Sequence, residues 1–320
     1  MTEYLVSARK YRPSKFEDVI GQEHITNTLS NAINNNQIAH AYLFCGPRGV
    51  GKTTCARIFA QLINNDSRSE YNMFELDGAS HNSVDDIRSL IDQIKIPPQI
   101  GTYKTYIIDE VHMLSKSAFN AFLKTLEEPP KHSIFILATT EKAKIIPTIL
   151  SRCQIFDFNR ISNKHISAYL NKIAKSENIQ VNEKTLNLIA GKSDGSLRDA
   201  LSTFDRIYTF CNKDWDHTAV TKMLLSLDIS FAIQVTNNII EKNMHACLLE
   251  INDVHEQGYD GKEIIHVLIG HFRNLMMIKN PKTKVLISQS EEMLDKMTVQ
   301  SQQFSNQQIL CALSCLNECD

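Results

Sequence analysis

The residues best equipped for chemistry in this 320-residue chain stand between positions 46 and 54. Gly46, Pro47, Arg48, Gly49, Val50, Gly51, Lys52 and Thr53 fit the pattern G-x-x-x-x-G-K-[ST], set after a strand-like run and before a helix-like one. Glycines at these places let backbone N–H groups turn inward around a phosphate, and the start of the following helix presents its partial positive charge to the same anion. Lys52 is then expected to reach the β and γ phosphates of ATP, with Thr54 a further nucleotide contact. Thr53 offers its hydroxyl to Mg²⁺, an ion that keeps most of its waters and takes few protein ligands. An accidental glycine-rich turn would match this pattern about once in a hundred chains of this length, at ordinary residue usage.

A second group complements the first. Tyr106, Ile107 and Ile108 form an apolar run that ends in Asp109 and Glu110. Asp109 is suited to hold the magnesium directly or through water, and Glu110 to orient and deprotonate an attacking water. Acidic residues often end buried strands simply to meet solvent, so the pair gains its meaning from the phosphate loop upstream.

Such groups need a rigid support. Between residues 41 and 158 short β-rich runs alternate with helical patterns, which predicts an α/β domain with a parallel sheet covered by helices. Strands are expected at 42–45, 73–77, 105–109, 134–139 and 154–158, and a helix at 22–34 with Ile25, Leu29 and Ile33 at four-residue spacing. Pro97, Pro98 and Gly101 break the pattern before the third strand. After Arg160 the apolar period changes to three and four. Helices at 162–176, 183–192 and 196–211 form a three-helix unit, with Asn182 as an N-cap. Longer amphipathic helices follow from about Asp216, one of them opened by Asp260 and Glu263 in the spacing of a capping box. The expected domains are 1–160, 161–215 and 216–320.

Composition narrows the functional classes. Lys+Arg number 34 and Asp+Glu 36, a formal charge of 34 − 36 = −2, so any contact with DNA must be local rather than a bulk attraction. The first ten residues lack the form of a signal peptide, and no apolar run approaches the roughly 18 residues of a membrane span, so a soluble cytoplasmic protein is expected. Five of the eight cysteines (Cys45, Cys55, Cys153, Cys211 and Cys247) are scattered singly, and no Cys-x-x-Cys pair occurs. Cys311, Cys315 and Cys319 share one helix face, without an obvious fourth ligand; free cysteine commonly serves as a small hydrophobe.

The chain resembles the gamma/tau subunits of bacterial DNA polymerase III, the AAA+ ATPases of the sliding-clamp loader. The matching text is 8–13 (Ala-Arg-Lys-Tyr-Arg-Pro), 19–22 (Val-Ile-Gly-Gln), the phosphate loop, 109–114 (Asp-Glu-Val-His-Met-Leu), 123–130 (Leu-Lys-Thr-Leu-Glu-Glu-Pro-Pro) and Ser151-Arg152-Cys153. The resemblance implies an AAA+ domain, a small helical lid and an all-α collar. It implies that Tyr11, Arg12, Pro13 and Val19 line the adenine pocket, although residues 8–16 also read as a basic surface arm with aromatics interleaved. Thr140 matches the sensor 1 position near the γ-phosphate, and Arg198 the sensor 2 arginine that reaches from the lid to the nucleotide. Arg152 would act in trans on the γ-phosphate held by the adjacent subunit. Arginine fingers elsewhere raise turnover by roughly 10³ to 10⁵.

Partners implied in the same way are related subunits in a ring-like pentamer, the sliding clamp, and primed DNA held without regard to sequence. By family analogy the helix at 84–94 would be nearest the clamp, while its periodicity equally fits a core helix. Ser83 and Lys116 are candidate phosphate contacts to DNA. Two departures stand out. The four-cysteine zinc module usual in the family has no cysteine to build it at 64–72, so no zinc is expected, and the collar is expected to be incomplete at its C-terminus. Competing readings are a DEAH-like helicase, from Asp109-Glu110-Val111-His112, a non-hydrolysing ring scaffold, and other AAA+ remodelling ATPases.

Overall fold

The computed structural model describes residues 6–64, 69–211, 213–224, 229–287 and 291–319. Positions 65–68, within the interval where the zinc module was expected to be missing, lie outside the described residues, as do 1–5 of the N-terminal segment read for a signal peptide. Two compact units divide the chain, Met1–Trp215 and Asp216–Asp320. The first begins with α1 (Ser7–Lys10), α2 (Glu23–Asn34), β1 (Ala41–Cys45), α3 (Lys52–Asn64), β2 (Met73–Asp77) and α4 (Val84–Ile94). It continues with β3 (Lys104–Asp109), α5 (Lys116–Glu127), β4 (Ser133–Thr139), α6 (Pro147–Leu150) and β5 (Gln154–Asp157), then the helices α7 (Asn163–Ser176), α8 (Glu183–Lys192) and α9 (Leu197–Cys211).

Strands β1 and β4 are buried along their whole length, the pattern of strands covered by helices on both faces. All four strand pairings are parallel, in the order β2-β3-β4-β1-β5. Alternation sorts each strand's side chains between two cores. Tyr42 and Phe44 join Phe59 of α3 and Ile136 in one, while Leu43 joins Ile108, Leu137, Leu90 of α4 and Phe122 of α5 in the other. Each large side chain removed from water in this way contributes about 1.5–3 kcal/mol. Because β1 lies between β4 and β5, the C-terminal ends of β3, β4 and β1 stand side by side, the edge where open α/β sheets bind ligands.

Strand positions agree with the sequence reading to within a residue at either end, and two of the helix starts shift by one for a physical reason. Gln22 and Ser162, expected as first helical residues, are N-caps outside the helical region. Asn182 caps α8 as expected, its side chain accepting from Thr185 N. Helix α4 buries Ile87, Leu90 and Ile94 in the core. Its apolar stripe is therefore packing against the sheet, and the surface it leaves is the charged side. The helix is opened by a capping box that the sequence reading passed over, with Ser83 Oγ accepting from Asp86 N and the Asp86 carboxylate accepting from Ser83 N.

The second unit contains α10 (His217–Met223), α11 (Ile229–Ile240), α12 (Met244–Glu256), α13 (Gly261–Ile278), α14 (Pro281–Lys284), α15 (Glu291–Gln303) and α16 (Asn306–Cys319). Phe272, Leu275 and Ile278 of α13 pack with Ile233 of α11, Met297 of α15 and Ile309 of α16. The capping box expected at Asp260 does not form: Asp260 is the N-cap, but its side chain makes no capping bond. Glu263 N, the donor such a box needs, is already given to the Asp260 carbonyl at 3.0 Å. Cys311, Cys315 and Cys319 are exposed on α16. No helix among the described residues is long and apolar enough to cross a membrane.

Candidate nucleotide site

The chain leaves β1 through Gly46, whose φ of +148° and closeness to β5 exclude a side chain, since an added Cβ would stand 2.4 Å from Phe158 O. Lys52 opens α3 with its side chain turned back over the loop. Its ammonium donates to the carbonyls of Gly46 and Pro47, each at 2.8 Å. An ammonium carries three protons, so one remains for a further acceptor. Burial lowers the Lys52 pKa below its ordinary value, opposed by the nearby carboxylates of Glu110 and Asp109.

One residue later, Thr53 Oγ1 donates to Asp109 Oδ2 at 2.7 Å, joining α3 to the end of β3. The other Asp109 oxygen accepts from Glu110 N at 2.9 Å. Glu110 occupies the left-handed region, at φ +46° and ψ +44°, a conformation that side-chain-bearing residues adopt at a cost of about 1–3 kcal/mol and that clusters at functional sites. The neighbouring β2 turn enforces it. Gly78 N donates to Asp109 O at 2.8 Å, and a Cβ on Gly78 would come within 2.8 Å of Glu110 O. Glu110 Oε2 accepts from Thr140 Oγ1 at 3.0 Å and from Thr140 N at 3.3 Å, so the residue after β4 fixes the carboxylate from the side.

These groups border a cleft of about 1140 Å³. Tyr11, Arg12, Pro13 and Val19 line it, as do Arg48, Gly49, Val50, Gly51, Lys52, Thr53, Thr54, Asp109, Glu110 and, from α9, Arg198. The lid approaches the loop through its backbone, with Arg198 N donating to Gly49 O at 3.4 Å. Segment 8–13 is fastened to α7 rather than lying free: Tyr11 OH and Lys10 Nζ both donate to the Glu177 carboxylate, and Tyr169 OH donates to Tyr11 O at 2.9 Å. Gly46 and Pro47 do not line the cleft; their part is to receive Lys52. Thr140 touches it only through Glu110.

Arg152 is elsewhere. It does not line the cleft, and its guanidinium pairs with Glu127 Oε1 at 2.7 Å and with Thr148 O at 2.7 Å. Ser83 is committed to capping α4, and Lys116 is the exposed first residue of α5.

Sequence reasoning passed over Arg57 and Glu75, which also line the cleft and form a two-pronged ion pair, Nε to Oε2 and Nη2 to Oε1, each 2.8 Å. Both could have been found. Arg57 follows Lys52 by five residues on α3, and Glu75 stands between the apolar Phe74 and Leu76 in β2. Arg12 stands in the same field. Burial lowers its pKa, Arg57 lowers it further, and Glu75 partly offsets this. Six Lys and Arg side chains line the cleft against four carboxylates, and a lining with that excess of positive charge suits a polyphosphate.

The donors at Thr53 and Asp109 are hard oxygens, the kind Mg²⁺ takes. Among the described residues no cluster of three His, Cys, Asp or Glu side chains is arranged to hold a metal.

Comparison with known proteins places this geometry. The family model described as "DNA polymerase III, delta subunit" matches residues 21–73 and 61–162. The "DNA polymerase III clamp loader subunit, ATPase lid domain" matches 165–213, and "DNA polymerase III subunits gamma and tau domain III" matches 216–316. DNA polymerase III subunit tau of Bacillus subtilis is 45% identical over 299 residues, covering 86% of this chain and 52% of that protein. DNA polymerase III subunit gamma of Buchnera aphidicola subsp. Acyrthosiphon pisum is 38% identical over 280 residues, covering 82% of this chain and 78% of its own length. The chain spans about half the length of the tau subunits it matches. The Thermotoga maritima RuvB Holliday junction branch migration motor superposes with a TM-score of 0.55 at 23% identity, covering 72% of this chain and 80% of that one, a likeness of fold. With its phosphate loop, lid and third domain all matched in order, this chain belongs to the gamma/tau family of DNA polymerase III subunits.

Proposed function

We propose that the chain is an AAA+ ATPase that works as a clamp-loader subunit, binding and hydrolysing ATP to drive opening of a sliding clamp and its placement on primed DNA. The observation that carries this reading is the convergence, on one cleft, of the Lys52 ammonium, the Thr53–Asp109 pair and a Glu110 carboxylate held by Thr140.

Lys52 offers its remaining proton to the β and γ phosphates, while the inward-facing amides from Gly49 to Thr53 and the N-terminus of α3 meet the rest of the anion. Thr53 and Asp109 would hold Mg²⁺, which when bound neutralises charge on the β and γ oxygens. Glu110 accepts a proton from the attacking water, and Thr140 keeps its carboxylate pointed for that task. Tyr11, Arg12, Pro13 and Val19 enclose the base, and Arg198 follows the lid as it closes on the nucleotide. Arg152 lies outside its own cleft, which supports its use on the nucleotide of an adjacent subunit in a ring-like pentamer. Contact with DNA is expected to run through phosphates and to be independent of sequence.

An ATPase assay with clamp, companion subunits and primed DNA, each omitted in turn, tests the reading. Turnover that needs clamp and primed DNA together is the expected result. Stimulation by single-stranded DNA alone, with strand separation, would instead select a helicase.

A further inference from the structure

The run Asp109-Glu110-Val111-His112 ends in a histidine that no step above uses. His112 sits in the short turn Val111–Met113, its side chain 6% exposed. Nδ1 lies 3.0 Å from Thr139 Oγ1 and 3.4 Å from Glu110 Oε2. Nε2 faces the other way, 3.3 Å from Glu141 Oε1. Thr139 Oγ1 also accepts from Glu141 N at 3.0 Å, and Lys144 Nζ donates to Glu141 Oε1 at 2.9 Å. The imidazole is therefore a strut: its own backbone belongs to the turn after β3, and both nitrogens engage the turn after β4.

A carboxylate that must deprotonate water has to stand within a few tenths of an ångström of its working position, and glutamate has three rotatable bonds with which to leave it. Thr140 holds Glu110 Oε2 through side chain and backbone, both from one side. Contacts to a single oxygen from one direction leave the carboxylate plane free to swing. The buried ring adds a further contact to the same oxygen from the His112 turn, with Nδ1 3.4 Å from Glu110 Oε2. His112 is absent from the lining of the cleft, so it is placed to act on Glu110 and not on the nucleotide.

We propose that His112 is a positioning residue for Glu110: its Nδ1 edge, braced through Nε2 by Glu141, holds the turn after β3 and the Glu110 carboxylate against Thr139 and Thr140. The proposal rests on the ATPase reading, and it goes beyond that reading in predicting a selective effect on turnover.

The test uses the full chain in its complex and three substitutions. Asn at 112 places an amide nitrogen near the Nδ1 position, Gln places one near Nε2, and Leu fills the space with no polar atom. His112→Asn is expected to stay within about threefold of the parent kcat, whereas His112→Leu and His112→Gln lose about 10- to 100-fold, the usual penalty for a misplaced reacting group. The KM for ATP, and the Kd for a non-hydrolysable fluorescent ATP analogue, should stay within about twofold throughout. Lys52→Ala, which removes the phosphate contact, and Glu110→Gln, which removes the base, are run alongside. If the parent protein does not hydrolyse ATP, the ATPase reading has failed. If the parent does, the positioning role is overturned by a Leu variant with parental kcat, by equal losses in all three variants, or by KM rising in step with the loss. Should the Leu variant fail to fold, the Asn-to-Gln ratio decides: near unity overturns the proposal, and about tenfold or more supports it.

Discussion

Gly49→Ala probes the place where the lid meets the phosphate loop. Gly49 has φ +75°, a region in which an L-residue costs about 1–2 kcal/mol. The added Cβ would also stand 2.1 Å from Ser196 Oγ, 3.1 Å from Arg198 Cβ and 3.2 Å from Ser196 Cβ. Rotating the serine relieves only the first of these, and it breaks the bond in which Ser196 Oγ accepts from Asp199 N at 3.2 Å at the start of α9. Losing such a cap costs about 1 kcal/mol. The sum is roughly 2–3 kcal/mol, drawn from the first unit. The single tryptophan is a convenient reporter, because Trp215 is buried with its ring 4.7 Å from that of Phe204 on α9. Urea unfolding followed by Trp215 fluorescence should show the loss in the Gly49→Ala protein. Ser196→Ala removes both the cap and the closest clash, so the double variant should be about 1 kcal/mol more stable than the two single losses added together. A Gly49→Ala protein within about 0.5 kcal/mol of the parent, or losses that simply add, would refute the steric reasoning.

Replacing Arg152 with Ala should leave ATP affinity of the isolated subunit unchanged while hydrolysis in the assembled complex falls by about 10³ or more; an equal loss of affinity in the isolated chain would count against action in trans. His271 is fully buried, and burial brings its pKa down to about 4 from 6.5, with the bond to Gln300 Oε1 at 2.9 Å partly opposing. The unfolded chain takes up the proton first, so stability of the second unit should fall as pH drops from about 6.5 to about 4, by roughly 3 kcal/mol, and change little from this source below that. Circular dichroism melts should show that His271→Leu flattens this slope, and an unchanged slope would assign the acid sensitivity to other groups. Among the thiols, burial pushes Cys55 and Cys153 up to about 12 and Cys45 to about 11, while Cys311, Cys315 and Cys319 are exposed. Brief alkylation at neutral pH, read by mass spectrometry, should therefore modify the α16 cysteines well before those three.

Much of the site was legible because its parts are local in sequence. A strand, a glycine-rich loop and a helix start are consecutive, so spacing alone placed Lys52 and Thr53, and the apolar run of β3 placed Asp109 and Glu110. What escaped was set by contacts between distant segments. The Arg57–Glu75 pair bridges α3 and β2, and His112 gains its partners only when the turns after β3 and β4 lie side by side. Similarly, the 84–94 stripe has the same period whether it faces a partner or its own core, and only the folded chain shows Ile87 and Leu90 packed in that core. The failed capping box at Asp260 has the same lesson at shorter range: the spacing was right, but a backbone carbonyl had already claimed the donor.

The functional groups in the cleft each rest on a partner of this chain's own. Lys52 rests on two neutral carbonyls, Thr53 on Asp109, and Glu110 on a hydroxyl and an amide. Each of these bonds has one ionised partner, and bonds of that kind contribute about 1.5–3 kcal/mol, whereas a polyphosphate offers Lys52 an acceptor that is itself charged. On the outer surface the partly exposed ion pair of Arg152 with Glu127 is worth only about 0–1 kcal/mol. The pair can thus fix the guanidinium's direction without withholding it from a stronger anionic partner. The one costly element is the left-handed backbone of Glu110, and it is also the one that Gly78 and the β2 turn hold from outside the cleft. Strain is therefore concentrated at the group that must not move, while Lys52 keeps one proton free for a ligand and Arg152 is bound weakly enough to change partners.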